Sequence, residues 1–241
     1  MQSFFSYRLT TDLSDIGAAL NERRQIVVNC LNPHSFVEAL YDDNFRKALE
    51  SSDALLPDGE GICLALKRWK KININKIAGD DLHSYLLDYL EKNGGKVFYM
   101  GSSKEVVEKI KKRLKREYPT VDVAVLSPSY SEKMSESETV EVVNAIEEFK
   151  PDVLFVSMTA PKQEKWVMEN RYRLNSPVVI ASVGAVFDFY AGTVKRAPAW
   201  AVKMKLEWLV RFLKEPRRMW KRNFVSTPKF LRWMRKHHSE L

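Results

Sequence analysis

The segment LLPDGEGICLAL, residues 55–66, ends an apolar run at Pro57 and continues with Asp58, Gly59, Glu60 and Gly61 before an apolar helical pattern resumes. A carboxylate there can cap the new helix. It can equally face a ligand, because glycines admit a bound molecule close to the backbone and a helix N-terminus favours negative charge. Similar places recur along the chain. Asn32 follows the run QIVVNC and precedes Pro33, so it either makes an Asn-Pro turn or offers its amide to a ligand. Lys76 leads through Gly79 and Asp80 into another helical stretch, as a solvated lysine or as a cation for an anionic group. Gly101 and Ser102 follow KVFYM in a strand–glycine–helix junction suited to the ribose or phosphate of a nucleotide. The full Gly-x-Gly-x-x-Gly pattern is missing there, which disfavours a dinucleotide-dependent dehydrogenase. Gln163 and Glu164 open a helix in APKQEKW; they suit a helical first turn and are also placed to bond hydroxyl groups. Asp188 sits between Phe187 and Phe189, where an unpaired carboxylate is costly, so it needs donors from the protein or from a ligand.

The elements that must position these residues follow from periodicity. Apolar, β-branched runs stand at 25–30, 96–101, 121–127, 152–158 and 178–184, and stretches of helical period at 35–50, 60–70, 80–93, 103–118, 136–149 and 162–174. Ser102 with Glu105, and Ser135 with Glu138, have the spacing of capping boxes. Strands alternating with helices predict an α/β fold, a mostly parallel, Rossmann-like sheet covered by helices on both faces. Ligands of such sheets bind at the carboxyl ends of the strands, where the residues above fall.

The chain has 241 residues, 45% of them hydrophobic, and a net charge of +8. From Gly192 onward fourteen Lys or Arg stand against three Glu, so the remainder carries about −3. The same tail holds Trp200, Trp208, Trp220 and Trp233. Trp200, Met204, Trp208 and Phe212 recur every four residues, with Val202, Leu206, Leu209 and Leu213 widening the stripe. That period fits a helix packed on the core. Basic residues interleaved with aromatics, as here, fit an anionic membrane surface or a nucleic acid. The N-terminus does not resemble a signal peptide, and no apolar run reaches the roughly 18 residues of a spanning helix. Cys30 and Cys63 lack metal-ligand spacing and read as buried free thiols of a reducing cytosol.

LLPDGEG (55–61), KIAGDDL (76–82), APKQEKW (160–166), VGAVFDFYAGTVKRAPAW (183–200) and LEWLVRFLKEPRRMWKR (206–222) together resemble, in order and spacing, the WecG/TagA/CpsF family of bacterial glycosyltransferases. The resemblance implies inverting, metal-independent transfer from a UDP-sugar to a sugar on a polyprenyl diphosphate, in the synthesis of teichoic acid or another surface polysaccharide. N-acetylmannosamine is the expected sugar, and no cofactor is expected. It implies a catalytic domain over 1–195 and a basic, aromatic, helical appendage over 196–241 that covers the site and contacts the membrane. Asp58 matches the proposed general base, and one carboxylate suffices for a single in-line displacement. Asn32, Lys76, Gly101, Gln163, Glu164 and Asp188 match or adjoin the substrate pocket. Arg211, Arg218 and Arg222, with Lys221 as the alternative to Arg222, match cations that would stabilise the departing UDP. The sequence departs from the family pattern at Cys30, where Thr is usual, at Lys76, where Arg is usual, and at Thr159-Ala160, which stands for a glycine. A peripheral site on the inner face of the plasma membrane follows, with no nucleic-acid partner and a homo-oligomer left open. The rival readings are an inactive membrane-associated scaffold of the same fold and a nucleic-acid-binding protein using the basic tail.

Overall fold

Each central strand sends alternate side chains to opposite sides of one sheet. Val97 and Tyr99, Val153 and Phe155, and Val179 and Ala181 join one buried cluster. Phe98 and Met100, Leu154 and Val156, and Ile180 join another. Strands covered on both faces need apolar residues at every position, which is why they read as unbroken apolar runs.

The structure is a computed structural model and describes the backbone of residues 2–4, 7–129, 131, 134–195, 198, 201, 204, 207–214 and 216–237. Side chains are described for these except 2–4, 8, 207, 211, 214, 217 and 218. The strands are β1 (Gln2–Phe4), β2 (Tyr7–Leu9), β3 (Ile26–Leu31), β4 (Ala54–Pro57), β5 (Gly95–Gly101), β6 (Val121–Leu126), β7 (Val153–Ser157) and β8 (Val179–Ser182). They lie in the order β1-β2-β4-β3-β8-β7-β5-β6. Only β1, at the edge, runs antiparallel to its neighbour; the other pairings are parallel. One face is covered by α1 (Ser14–Glu22), α5 (Gly79–Asn93), α6 (Lys104–Glu117) and α9 (Val186–Ala191). The other is covered by α2 (Pro33–Ala39), α3 (Asp43–Glu50), α4 (Glu60–Ala65), α7 (Glu136–Phe149) and α8 (Lys162–Asn170). The fold is therefore the mostly parallel α/β arrangement expected from the alternation of runs.

Several boundaries differ from the periodic reading. The stretch 35–50 is two helices, because Asp42 accepts the N–H of Phe45 at 3.0 Å and starts a new one. The stretch 60–70 changes after Ala65 into a π-helical turn, Leu66–Lys70. Ser103, not Ser102, caps α6: Ser102 has φ +56 after Gly101 at φ +116, so the chain is still turning there. Ser135 does cap α7, but Glu138 bonds Ser129 N instead of completing a box. The elements β1, β2, α1 and α9 lie outside the predicted runs; each is short or breaks its period with polar residues.

The C-terminal stretch forms helices Glu207–Lys214 and Pro216–Trp220, a π-helical turn Lys221–Ser226 and a last helix Thr227–His237. Phe230 and Met234 of that last helix are buried with Phe36, Leu31 and Leu55. Phe36 meets the rings of Phe230 and Trp233 with centroids at 5.1 and 4.9 Å. Trp200, Val202 and Leu206 of the apolar stripe lie outside the described residues. Met204, Trp208, Leu209 and Leu213 are exposed, Leu213 at 72%, so this part of the stripe does not pack on the core. Among the described residues no helix is long and apolar enough to cross a membrane.

Candidate active site

The parallel register brings the carboxyl ends of five strands to one edge. Leu31 of β3 pairs with Pro57 of β4, so Asn32 and Asp58 leave the sheet side by side. Gly101 of β5 pairs with Ser157 of β7, and β7 in turn pairs with β8. The residues just beyond these ends line one cleft of about 1840 Å³.

Asp58 is anchored through its backbone, whose N–H donates to Leu31 O at 2.9 Å and to Leu56 O at 2.8 Å. Gly59 has φ +135, a conformation that side chains resist. A Cβ on Gly61 would stand 2.6 Å from Cγ of Pro33. Gly61 thus serves the packing of the Asp58 turn against the Asn32-Pro33 turn, and Gly59 the course of the backbone through it. Asn32 is the N-cap of α2: its Oδ1 accepts the N–H groups of His34 and Ser35, both at 3.0 Å, and Ser35 Oγ accepts the Asn32 N–H. The turn and ligand readings of Asn32 are compatible, since the amide NH2 remains available at the cleft.

At the next junction a Cβ on Gly101 would fall on the carbonyl of Ser157, 2.7 Å from its carbon, so no larger residue fits. Ser102 N donates to that carbonyl at 2.9 Å. Ser157 Oγ donates to Gly184 O at 2.7 Å and ties β7 to the turn after β8. Gln163 and Glu164 are buried at the start of α8. The N–H of Met158 can only donate, so the atom it meets at 3.1 Å is Gln163 Oε1. That leaves Gln163 Nε2 to donate to Glu164 Oε1 at 2.9 Å. Glu164 Oε2 and Ser182 Oγ, both on cleft-lining residues, have no hydrogen-bond partner. Burial raises the Glu164 carboxyl to about 7, against the opposing effect of the Gln163 bond. Burial, then the charges of Asp58 and Glu164, push the Cys30 thiol well up. Both cysteines are free and keep part of their residue surface exposed, although the Cys30 thiol itself is shielded from water.

Asp188, on α9, is half-buried and lines the cleft. Asp81, not Asp80, accepts the N–H of Ala78 at the start of α5, and Asp80 faces the cleft. Lys221 and Arg222 line the cleft from the C-terminal segment, with Lys221 Nζ 3.1 Å from Glu38 Oε1. Lys76 does not join them; it lines a separate cavity of about 470 Å³ with Glu60 and Asp81. Arg211 and Arg218 lie on helices whose backbone is described, but their side chains fall outside the described residues. The sequence reading missed His34, Ser157 and Ser182. His34 directly follows the Asn32-Pro33 cap, a position that could have drawn attention to it. Among the described residues no group of three or more His, Cys, Asp or Glu side chains is placed to hold a metal ion.

Carboxylates such as Asp58, hydrogen-bonding amides and several cations, Lys221 and Arg222 among them, line one cleft and suit proton abstraction beside a polyanionic ligand. The description "Glycosyl transferase WecG/TagA/CpsF family" matches residues 5–240. The chain belongs to the WecG/TagA/CpsF family of glycosyltransferases. It is 32% identical over 235 residues to the N-acetylglucosaminyldiphosphoundecaprenol N-acetyl-beta-D-mannosaminyltransferase of Bacillus spizizenii, covering 97% of this chain and 88% of that one. To the enzyme of the same name from Bacillus subtilis strain 168 it is 31% identical, over 88% of this chain and 79% of the relative. To that of Staphylococcus aureus strain MW2 it is 32% identical, over 83% and 76%. This glycosyltransferase therefore carries its PDGEG and PKQE stretches at strand ends that open on a common cleft.

Proposed function

We propose that this glycosyltransferase moves N-acetylmannosamine from UDP to an N-acetylglucosamine carried on a polyprenyl diphosphate, with inversion at the anomeric carbon. The observation that carries the reading is the shared cleft, with Asp58 on one wall and Lys221 and Arg222 on another. The choice of sugar and lipid rests on relatives named for that reaction along most of this chain's length. Asp58 takes the proton from the acceptor hydroxyl as that oxygen bonds to the anomeric carbon. The bond from the same carbon to the UDP oxygen breaks, and the diphosphate leaves with the electron pair. Arg222, with Lys221 beside it, stabilises the charge that grows there, and Arg211 and Arg218 add to it; no metal or other cofactor is required. Asn32, Gln163, Glu164, Asp188 and the Gly101 junction hold the donor and its nucleotide.

The enzyme works as a peripheral protein on the inner face of the membrane, where its lipid acceptor resides. In support, Trp220 and Phe224 are exposed at 57% and 46%, their ring centroids 4.8 Å apart and their planes tilted by 36°, next to Lys221 and Arg222. Basic residues beside exposed aromatics suit an anionic surface.

The test is incubation with UDP-N-acetylmannosamine and a short-chain polyprenyl-diphosphate N-acetylglucosamine, with the product read by mass. Asp58→Asn is expected to bind UDP normally and to lose transfer by about 100-fold or more. Failure of the wild type with this donor alone among a panel of UDP-sugars refutes the sugar assignment. Near-normal turnover of Asp58→Asn refutes the base.

A further inference from the structure

Lys221 and Arg222 reach the cleft on the π-helical turn Lys221–Ser226, and that turn needs something to hold it. Within it, the carbonyl of Arg222 accepts both the N–H and the hydroxyl of Thr227, the hydroxyl at 3.0 Å. At its far end Ser226 is buried, at 1% exposure, and its hydroxyl meets Nδ1 of His34 at 2.8 Å. His34 stands on the first turn of α2, after the Asn32-Pro33 turn that packs on the Asp58 loop. One turn further, Glu38 lies 3.1 Å from Lys221 and 3.9 Å from His34. Beyond the π-helical turn, Phe36 packs on Phe230. Arg222 is near enough to His34 that its charge, after burial, helps hold the imidazole down at about 4. The imidazole is therefore neutral at working pH, and its bond to the serine hydroxyl is between uncharged groups.

We propose that His34 and Ser226 are positioning residues, whose hydrogen bond sets the Lys221–Ser226 turn so that Arg222 faces the departing diphosphate. Nothing in the family resemblance assigns them a role. The inference rests on the reading of Arg222 given under Proposed function. Both residues act through Arg222. The charge that Arg222 meets grows on the way to the transition state, so misplacing it lowers kcat more than it raises KM for the UDP-sugar. Removing His34 leaves the buried Ser226 hydroxyl without this partner, and removing Ser226 unties the half-buried imidazole from the turn; either change disfavours the set conformation of the turn and costs turnover on the order of tenfold.

The experiment uses the full chain, UDP-N-acetylmannosamine and a soluble short-chain acceptor, with urea unfolding run alongside. His34→Ala and Ser226→Ala are each expected to lose about tenfold in kcat with KM within about twofold, and the double variant to be no slower than either single one. His34→Asn puts an amide near the place of Nδ1 and is expected to recover most of the rate. In an Arg222→Ala background, His34→Ala is expected to cost less than about twofold more. The proposal is overturned if His34→Ala keeps full turnover, if its loss is undiminished in that background, or if His34→Asn is as slow as His34→Ala while both stay folded. If His34→Ala does not fold, Ser226→Ala and His34→Asn carry the same comparisons. An Arg222→Ala enzyme with normal turnover overturns the reading of Arg222 and this inference with it. A slow Arg222→Ala beside a fast His34→Ala overturns this inference alone.

Discussion

Glu164→Gln gives the sharpest test of the electrostatics at the cleft floor. Glu164 is 3% exposed, and its carboxyl is raised from an ordinary 4.5 to about 7, chiefly by burial. Below pH 4.5 the group is protonated in the folded and unfolded chains alike, so it costs the fold nothing by ionising. Between 4.5 and about 7 the unfolded chain releases its proton while the folded chain keeps it, and stability falls as pH rises. Above about 7 both are ionised and the loss is complete. At 1.36 kcal/mol per pH unit the full loss is about 3 kcal/mol. Glutamine keeps the shape and cannot ionise, so it removes this loss. The hydrogen bonds that act on the group, from Gln163 and from its own backbone N–H, are unchanged in the variant. Cys30 titrates well above this window, and Lys165 on the same helix is turned to Asp42 at 2.6 Å. Urea unfolding of both proteins from pH 4.5 to 8.5 gives the difference directly. Glu164→Gln is expected to gain stability relative to wild type as pH rises, levelling near 3 kcal/mol above pH 7.5. A difference that does not change with pH, or that runs the other way, refutes the assignment of a buried, neutral Glu164.

Other outcomes follow from the same geometry. Gly101→Ala is expected to unfold at markedly lower urea, losing about 3 kcal/mol or more, because its Cβ would collide with the Ser157 carbonyl at a positive φ; an unchanged midpoint refutes that contact. Phe230→Ala is expected to lose about 3–5 kcal/mol, since the ring is fully buried against Phe36; a loss below about 1 kcal/mol shows that the last helix does not pack there. Transfer is expected to survive EDTA; a strict requirement for magnesium or manganese, restored by adding the ion, removes the cations of the C-terminal segment as sole charge stabilisers.

What the sequence by itself determined was the alternation. Runs such as KVFYMG and DVLFVSM have apolar side chains at successive positions, and only a sheet covered on both faces buries both sets, so the α/β layers were legible. The ends of those runs were equally legible, because Gly101, Asp58 and Gln163 interrupt an apolar pattern with residues that suit turns and helix starts. What those residues do locally was decided by contacts between segments distant in the chain. Gly61 is small because Pro33 is there, and Gly101 because Ser157 is. No local pattern distinguishes such a glycine from one that makes room for a ligand. Lys76 shows the same limit in the other direction: its spacing to Gly79 and Asp80 is what the pocket reading needs, yet the approach to α5 turns it to a second cavity. The ionisation of Glu164 and the neutrality of His34 arise from burial, which is a property of the packed chain and not of any stretch of it. The bond from His34 to Ser226 joins residues 192 positions apart. Sequence spacing sets which side chains share one strand end or helix face; which strand ends and helices meet around a cleft is set by the order and register of the whole sheet.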